Sequence, residues 1–408
     1  MKLYFQLAWR NIWRNKKRSL ISLASIFFSV LLALLFQSVQ DGSNDIMVDT
    51  VVDMYSGGIQ VMGKDFWKKR SLDQSMEYRQ QQVEAIRKTE HITNVTPRLE
   101  SFALVSHGLA TKVSPVVGIN PITENNMTGL QKKLVAGAYL TIESKGTLVA
   151  EGLARALNLT VGDSIVLYGQ GYQGVTAVGV FAIEGIVKFP IPEMNNAMVF
   201  LALPHAQWLF VAPNRITGLV IMIDKMSRLN EVKTSLQRWE DSKHDVMTWR
   251  DMLPEFVQSV AMNDASTVMI LLILYAIVGF GIFGTVMMMM ATERRREFGV
   301  LISVGMNRWR LIGVTTLESI MISMVGAAIG ASAGYPLMYY FYVHPIILTG
   351  DYAKAMLAYG MEPILPLNAD VSTVILHGTI VAFCGIMSSL YPLFFIRRLH
   401  PVRAVQGK

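Results

Sequence analysis

Apolar residues along this chain gather into four long blocks, and between the first two they alternate with polar ones. Ser19 to Ser38, Ala265 to Ala291, Leu311 to Leu337 and Val371 to Ile396 are almost free of charge, the third broken only by Glu318. A bilayer core takes about 20 apolar residues at the helical rise, and each block suffices. Each therefore predicts a membrane-spanning helix. A soluble protein has no need of four charge-poor stretches of this length. A cleaved signal peptide would also follow a basic leader, but the first block exceeds the usual apolar core. "LLFQSVQDG" moreover lacks a small-x-small cleavage site, so the block reads as a retained span.

Residues 43–262 have a shorter rhythm. "GGIQVMG", "ATKVSPVVGI", "GTLVAEGLA", "DSIVLYG", "TAVGVFAIEGIV", "NAMVFLAL" and "ITGLVIMI" read as strands bounded by Gly, Pro or Asp. "SMEYRQQQVEAIRKT", "LPHAQWLF" and "LNEVKTSLQRWED" read as helices. The mixture predicts an α/β or α+β domain. The expected organisation is an amphipathic helix and first span over 1–42, an extracytoplasmic domain over 43–262, and three further spans with a cytoplasmic tail over 263–408.

Composition agrees: of 408 residues, 52% are hydrophobic and 16% charged, against about a quarter charged in soluble domains. Charge also orients the chain. Lys2, Arg10, Arg14, Lys16, Lys17 and Arg18 precede the first block; Arg294, Arg295, Arg296, Arg308 and Arg310 lie between the second and third; Arg397, Arg398, Arg403 and Lys408 follow the fourth. The positive-inside rule places these segments in the cytoplasm and 43–262 outside, with both termini inside a bacterial inner membrane. The net charge of +7 is thus a property of the flanks, and nucleic-acid binding is not implied. The single cysteine, Cys384, falls in the fourth block, so the exported domain is held without disulfides.

No catalytic or nucleotide-binding pattern stands out. There is no P-loop, no His-Glu-x-x-His, no Cys-x-x-Cys and no Gly-x-Ser-x-Gly. "GFGIFG" at 279–284 lies inside a span, where small residues allow close helix approach. His377, alone in the last span, reads as a packed, hydrogen-bonded histidine, with a proton relay as the alternative. Glu318 has the same two readings. Thr315 or Ser319, or Arg308 and Arg310 near the interface, are its candidate partners. "GAAIGASAG" (326–334) repeats small residues at helical spacing, as for close packing.

The segment between the second and third blocks is short and patterned. Glu293, Arg296 and Glu297 fall within one helical turn. Phe298, Leu301 and Ile302 make an apolar stripe beside them, and Gly305 offers a stop. A docking helix and a plain stop-transfer cluster both fit this spacing.

"ERRREFGVLISVGMNRWRLI" resembles the cytoplasmic loop of FtsX-like/MacB-like ABC transporter permeases. Glu293, Arg294, Glu297, Gly299, Leu301 and Gly305 match its pattern, and Ile302 and Ser303 depart from it. "LAWRNIWRNKKRSLIS" is similar to the family's amphipathic entry helix, and "EGLARALNLTVGDSIVL" to a signature of its periplasmic domain. "SLYPLFFIRRLHPVRAVQ" is similar to its closing motif through Tyr391, Pro392, Pro401 and Ala404. The resemblance implies an α-helical membrane protein of four spans, with a large MacB-type α/β domain between the first two. It implies a non-catalytic permease subunit, paired with an identical or paralogous permease. A separate ABC ATPase that uses ATP and Mg would drive it, and the chain itself would bind no cofactor. Glu293, Arg294, Arg296, Glu297, Phe298, Gly299, Leu301 and Gly305 would receive that motion. "QDGSNDIMVDTVVDMYSGGIQVMG", "AYGMEPILPL" and "TWRDMLPEFVQ" are closer to the lipoprotein-releasing LolC/LolE-like branch. Lipoprotein cargo and a periplasmic carrier are its implied partners, although the hairpin "YGQGYQGVTA" is short for carrier capture. MacB-like efflux through an adaptor is the alternative. A secondary transporter or a receptor would need broken repeat helices or a cytoplasmic output domain, and neither is visible.

Overall fold

The computed structural model describes residues 2–14, 16–239, 243–289, 295–358, 363–388 and 390–398. It divides into two compact units, one of residues 1–46, 260–347 and 364–408, the other of residues 47–259 with 348–363.

The first unit is helical. Its elements are α1 (Lys2–Arg14), α2 (Lys16–Val51), α3 (Pro254–Met289), α4 (Arg295–Ser303), α5 (Arg308–Val343), α6 (Val371–Ser388) and α7 (Tyr391–Arg397). By length and composition, four helices among the described residues can cross a membrane. α2, α3 and α5 each have 36 residues, about 54 Å of helix against about 30 Å of hydrocarbon. Each therefore continues well beyond the bilayer core. In the fourth apolar block α6 is described to Ser388 and α7 from Tyr391, with Pro392 in the first turn of α7, where its missing N–H is harmless.

The small residues of the third span fulfil their expected role. Gly326, Gly330 and Gly334 form one face of α5 and receive Ile26, Val30 and Leu34 of α2. A Cβ at these glycines would lie 2.9, 2.9 and 2.6 Å from those side chains. Gly385 of α6 backs onto Ser323 more closely still. Close backbone approach replaces the hydrophobic drive that lipid removes. Gly279, by contrast, meets nothing within 4 Å among the described residues. Polar groups tie the outer helix ends. Gln40 donates to Thr267 at 2.9 Å, Asn44 to Asp264 at 2.6 Å, and Asn368 to Asp45 at 2.7 Å. Gly330→Leu should destabilise the bundle by about 1–3 kcal/mol, the usual range for overpacking. Thermal unfolding in detergent reads this, and a variant as stable as the parent would mean the glycine row does not join α2 to α5.

The second unit is built on a ten-stranded sheet: β1 (Ile59–Gly63), β2 (Ile92–His107), β3 (Ala110–Ile119), β4 (Leu134–Gly137), β5 (Thr147–Ala150), β6 (Ser164–Gln170), β7 (Thr176–Val187), β8 (Val199–Ala202), β9 (Gly218–Ile223) and β10 (His244–Thr248). Its order is β10-β1-β9-β2-β3-β8-β5-β7-β4, and β6 pairs with both β2 and β7. Those pairings close β2, β3, β8, β5, β7 and β6 into a ring around buried Val105, Ile165, Leu167, Phe181 and Leu201. Closure leaves these strands few free edges.

Two sequence expectations change here. "GTLVAEGLA" is half strand and half helix, turning at Glu151. The longest strand, β2, was not expected because Pro97 interrupts its apolar rhythm. Proline removes a donor, yet β2 continues through it by pairing Pro97 with Leu219.

A buried polar network fastens the wide turn Val52–Ser56 onto this sheet. Arg98 on β2 donates to the Tyr55 carbonyl at 2.6 Å. It also grips Glu124 of the helix Pro121–Thr128 at 3.0 and 2.6 Å. The Tyr55 hydroxyl donates to Glu100 at 3.0 Å. Arg98 and Glu124 are 2% and 1% exposed. Burial opposes the Arg98 charge, but the Glu124 carboxylate beside it outweighs this and raises the guanidinium above its ordinary value. Near the start of α3, Thr248 and Asp251 form a capping box around the turn Trp249–Met252. Burial pushes Asp251 up, while Lys233 at 2.8 Å and the Thr248 N–H and hydroxyl hold it below its ordinary value.

Candidate coupling surface

α4 carries most of the candidate site. Glu293 and Arg294 lie outside the described residues, as does Pro401. From Arg295 the helix runs nine residues. Gly305 then adopts φ +99°, which suits glycine. Its N–H donates to Ile302 at 3.0 Å, and that of Met306 donates to Leu301 at 3.0 Å. The two bonds form a Schellman stop, as the glycine suggested.

The apolar stripe expected from Phe298, Leu301 and Ile302 is split. Phe298 is 3% exposed and packs in the core with Ile26, Leu311, Ile312 and Ile396; Ile302 leans on the same core. Leu301 instead faces outward with Val300 and Val304, which are 45% and 83% exposed. The spacing explains the split, because Glu297, Val300, Leu301 and Val304 fall at i, i+3, i+4 and i+7 on the opposite stripe. The outward face is therefore apolar, with Glu297 and exposed Arg296 at one end. Gly299 is buried, and its carbonyl accepts from Ser303 at 2.8 Å.

α4 is fixed to its neighbours by charge as well. Arg14 of α1 donates to both Glu297 oxygens at 3.0 and 3.2 Å. No local pattern signalled Arg14, which is separated from Glu297 by 283 positions. Arg308 donates to the Arg397 carbonyl at 3.0 Å, and the Arg397 guanidinium lies 5.3 Å from the Trp309 ring. Tyr391 of α7 stacks on Phe395 at 6.0 Å.

The intramembrane polar residues are embedded in the packing. Glu318 is 3% exposed. The Thr315 hydroxyl donates to the Leu311 and Ile312 carbonyls and that of Ser319 to the Thr315 carbonyl. Both hydroxyls thus donate within their own helix. His377 is hydrogen-bonded through Nδ1 to the Tyr275 hydroxyl, which joins α6 to α3. Among the described residues, no group of three or more His, Cys, Asp or Glu could hold a metal.

One further surface was missed. On the outer sheet Val113, Leu104, Tyr168 and Val178 stand in one row across four strands, all exposed. Such an apolar run is uncommon on a domain surrounded by water.

Comparison with known proteins gives two family matches: the FtsX-like permease C-terminal over residues 269–401 and the MacB-like periplasmic core domain over residues 19–239. The chain is similar to the ABC transporter permease YclI of Bacillus subtilis, at 25% identity over 218 residues, covering 50% of this chain and 44% of YclI. It is similar to the lipoprotein-releasing system transmembrane protein LolC of Xylella fastidiosa, at 21% identity, covering 77% of this chain and 78% of LolC. The macrolide export ATP-binding/permease protein MacB of Agrobacterium fabrum is 21% identical, with 80% of this chain and 51% of MacB covered. The chain thus spans less than half of YclI and about half of MacB. Among solved structures, the periplasmic region of MacB from Actinobacillus actinomycetemcomitans matches 50% of this chain and 94% of its own, at 14% identity and a TM-score of 0.36.

Proposed function

This chain belongs to the FtsX-like permeases with a MacB-like periplasmic core domain, and on that premise we propose that it moves lipoproteins out of the bacterial inner membrane. It is an ABC transporter permease of the FtsX/MacB type, a multi-pass membrane protein whose α/β domain follows the first spanning helix. One observation carries the lipoprotein reading: LolC is matched over 78% of its own length, MacB over 51%. MacB-like efflux with an adaptor is the second reading, favoured by the MacB-like match of the outer domain.

In this reading both termini are cytoplasmic. A partner ATPase that uses ATP and Mg docks on the outward face of α4, around Arg296, Glu297, Leu301 and Val304, with Glu293 and Arg294 just before it. A second permease, identical or paralogous, completes the pair. Closure of the ATPase tilts α4, and Phe298 passes that movement to α2 and α5. The long helices α2 and α3 then carry it beyond the hydrocarbon. Rigid, packed elements transmit such motion because they switch between discrete arrangements. The short turn 171–175 between β6 and β7 offers little reach for a carrier.

A mild-detergent pull-down of the tagged full chain from its native membrane, read by mass spectrometry, is the test. An ATPase with lipid-modified proteins supports the proposal. An ATPase with a membrane-fusion adaptor replaces it with efflux, and no ATPase removes the docking role of α4.

A further inference from the structure

A groove of about 450 Å³ lies where α1 meets α2 and α5, walled by Trp9, Trp13, Leu20, Leu23 and Val325. Apart from Lys16, which is exposed and has its ammonium 5.7 Å from the Trp13 ring, and Ser19, whose hydroxyl donates to the Ile12 carbonyl at 3.0 Å, these walls are apolar. α1 itself is amphipathic: Phe5, Trp9 and Trp13 are exposed beside Arg10 and Arg14. A basic helix of this kind lies in the membrane interface, with tryptophans at headgroup level. Residues 1–40 hold six Lys and Arg and no Asp or Glu. An apolar slot beneath such a helix, with a cation beside it, matches a molecule that has an apolar chain and an anionic head.

We propose that this groove is a binding site for one anionic phospholipid of the surrounding leaflet, its acyl chain in the slot and its phosphate on Lys16. Charge selects this occupant over a neutral lipid, because every ionisable group on α1 and at its junction with α2 is basic. The site has a consequence for coupling. Arg14, two residues from Lys16, holds Glu297 of α4, so a lipid that immobilises the α1–α2 junction also steadies α4. That consequence rests on the coupling reading above, whereas lipid binding does not.

The test is native mass spectrometry of the detergent-purified full chain with phosphatidylglycerol or phosphatidylcholine of identical acyl chains. One phosphatidylglycerol should be retained per chain in preference to phosphatidylcholine. Lys16→Gln should lower its retention about fivefold, the worth of one surface cation, and leave phosphatidylcholine unchanged. Leu20→Trp combined with Val325→Trp should fill the slot and remove the retained lipid. Both positions are exposed, and an unchanged melting temperature in detergent verifies folding. Equal retention of the two lipids, or an unchanged adduct in the folded tryptophan variant, would mean that lipid merely coats the surface. If the tryptophan variant does not fold, Lys16→Gln decides alone. Orientation in the membrane does not enter, so failure here is distinguishable from failure of the transporter reading.

Discussion

Arg98→Met is expected to destabilise the outer domain by about 3–5 kcal/mol, because it leaves the Glu124 carboxylate buried without its partner. For a domain of this size that corresponds to a fall in melting temperature of about 10 °C. The reason lies in the geometry. The guanidinium satisfies both Glu124 oxygens and the Tyr55 carbonyl from a site only 2% exposed, and water cannot replace it. The second change, Glu124→Leu in the same chain, should recover most of the loss, since a buried pair contributes little over apolar packing of similar volume. Thermal unfolding of the full chain in detergent, followed with proteolysis of residues 47–259, reads both. A single variant as stable as the parent would show that Glu124 finds another partner or is uncharged. Equal losses in the single and double variants would locate the effect in packing rather than charge.

The second large effect is functional. Glu297→Lys should leave insertion and melting nearly unchanged, because its bridge to Arg14 is about half exposed and such pairs contribute about 0–1 kcal/mol. On the proposed coupling, transport should nevertheless fall about ten- to a hundredfold, the scale of a lost coupling free energy, while a partner ATPase would continue to turn over. Reconstituted vesicles in which ATP hydrolysis and cargo release are measured together give the ratio. The charge swap Arg14→Glu with Glu297→Lys separates the two roles of Glu297. It restores the internal bridge but presents the wrong sign to a docked ATPase, so transport should stay low. Restoration by the swap would make Glu297 an internal brace and remove it from the docking face.

The difference between these residues shows which parts of the molecule were legible in the chain. The four spans, the stop at Gly305 and the glycine row of the third span are written in patterns a few residues long, where helical spacing alone decides the face. The strands from Ala110 to Ile119 and from Thr176 to Val187 were equally plain. Arg98 and Glu124, 26 positions apart, and Arg14 and Glu297, 283 apart, meet only through the tertiary fold. The direction of Leu301 was hidden for a related reason. Phe298 and Leu301 are both apolar, and only the core around Ile312 and Ile396 decides which turns inward. β2 was obscured by Pro97, which nevertheless pairs with Leu219 of β9.

The glycine row has a mechanical consequence. Its repeat of four residues, set against a repeat of four in Ile26, Val30 and Leu34, would be a track for α5 to slide by one helical turn if its ends were open. The row is closed at both ends. Four residues before Gly326 stands Ile322, and four after Gly334 stands Met338, both buried in the same core. A slip in one direction sets Met338 against Leu34; in the other it sets Ile322 against Ile26. Two bulky stops bracket three gaps, and the lock has a single notch. α2 and α5 therefore travel as one piece, and any stroke this protein makes must pivot about the pair rather than shear within it.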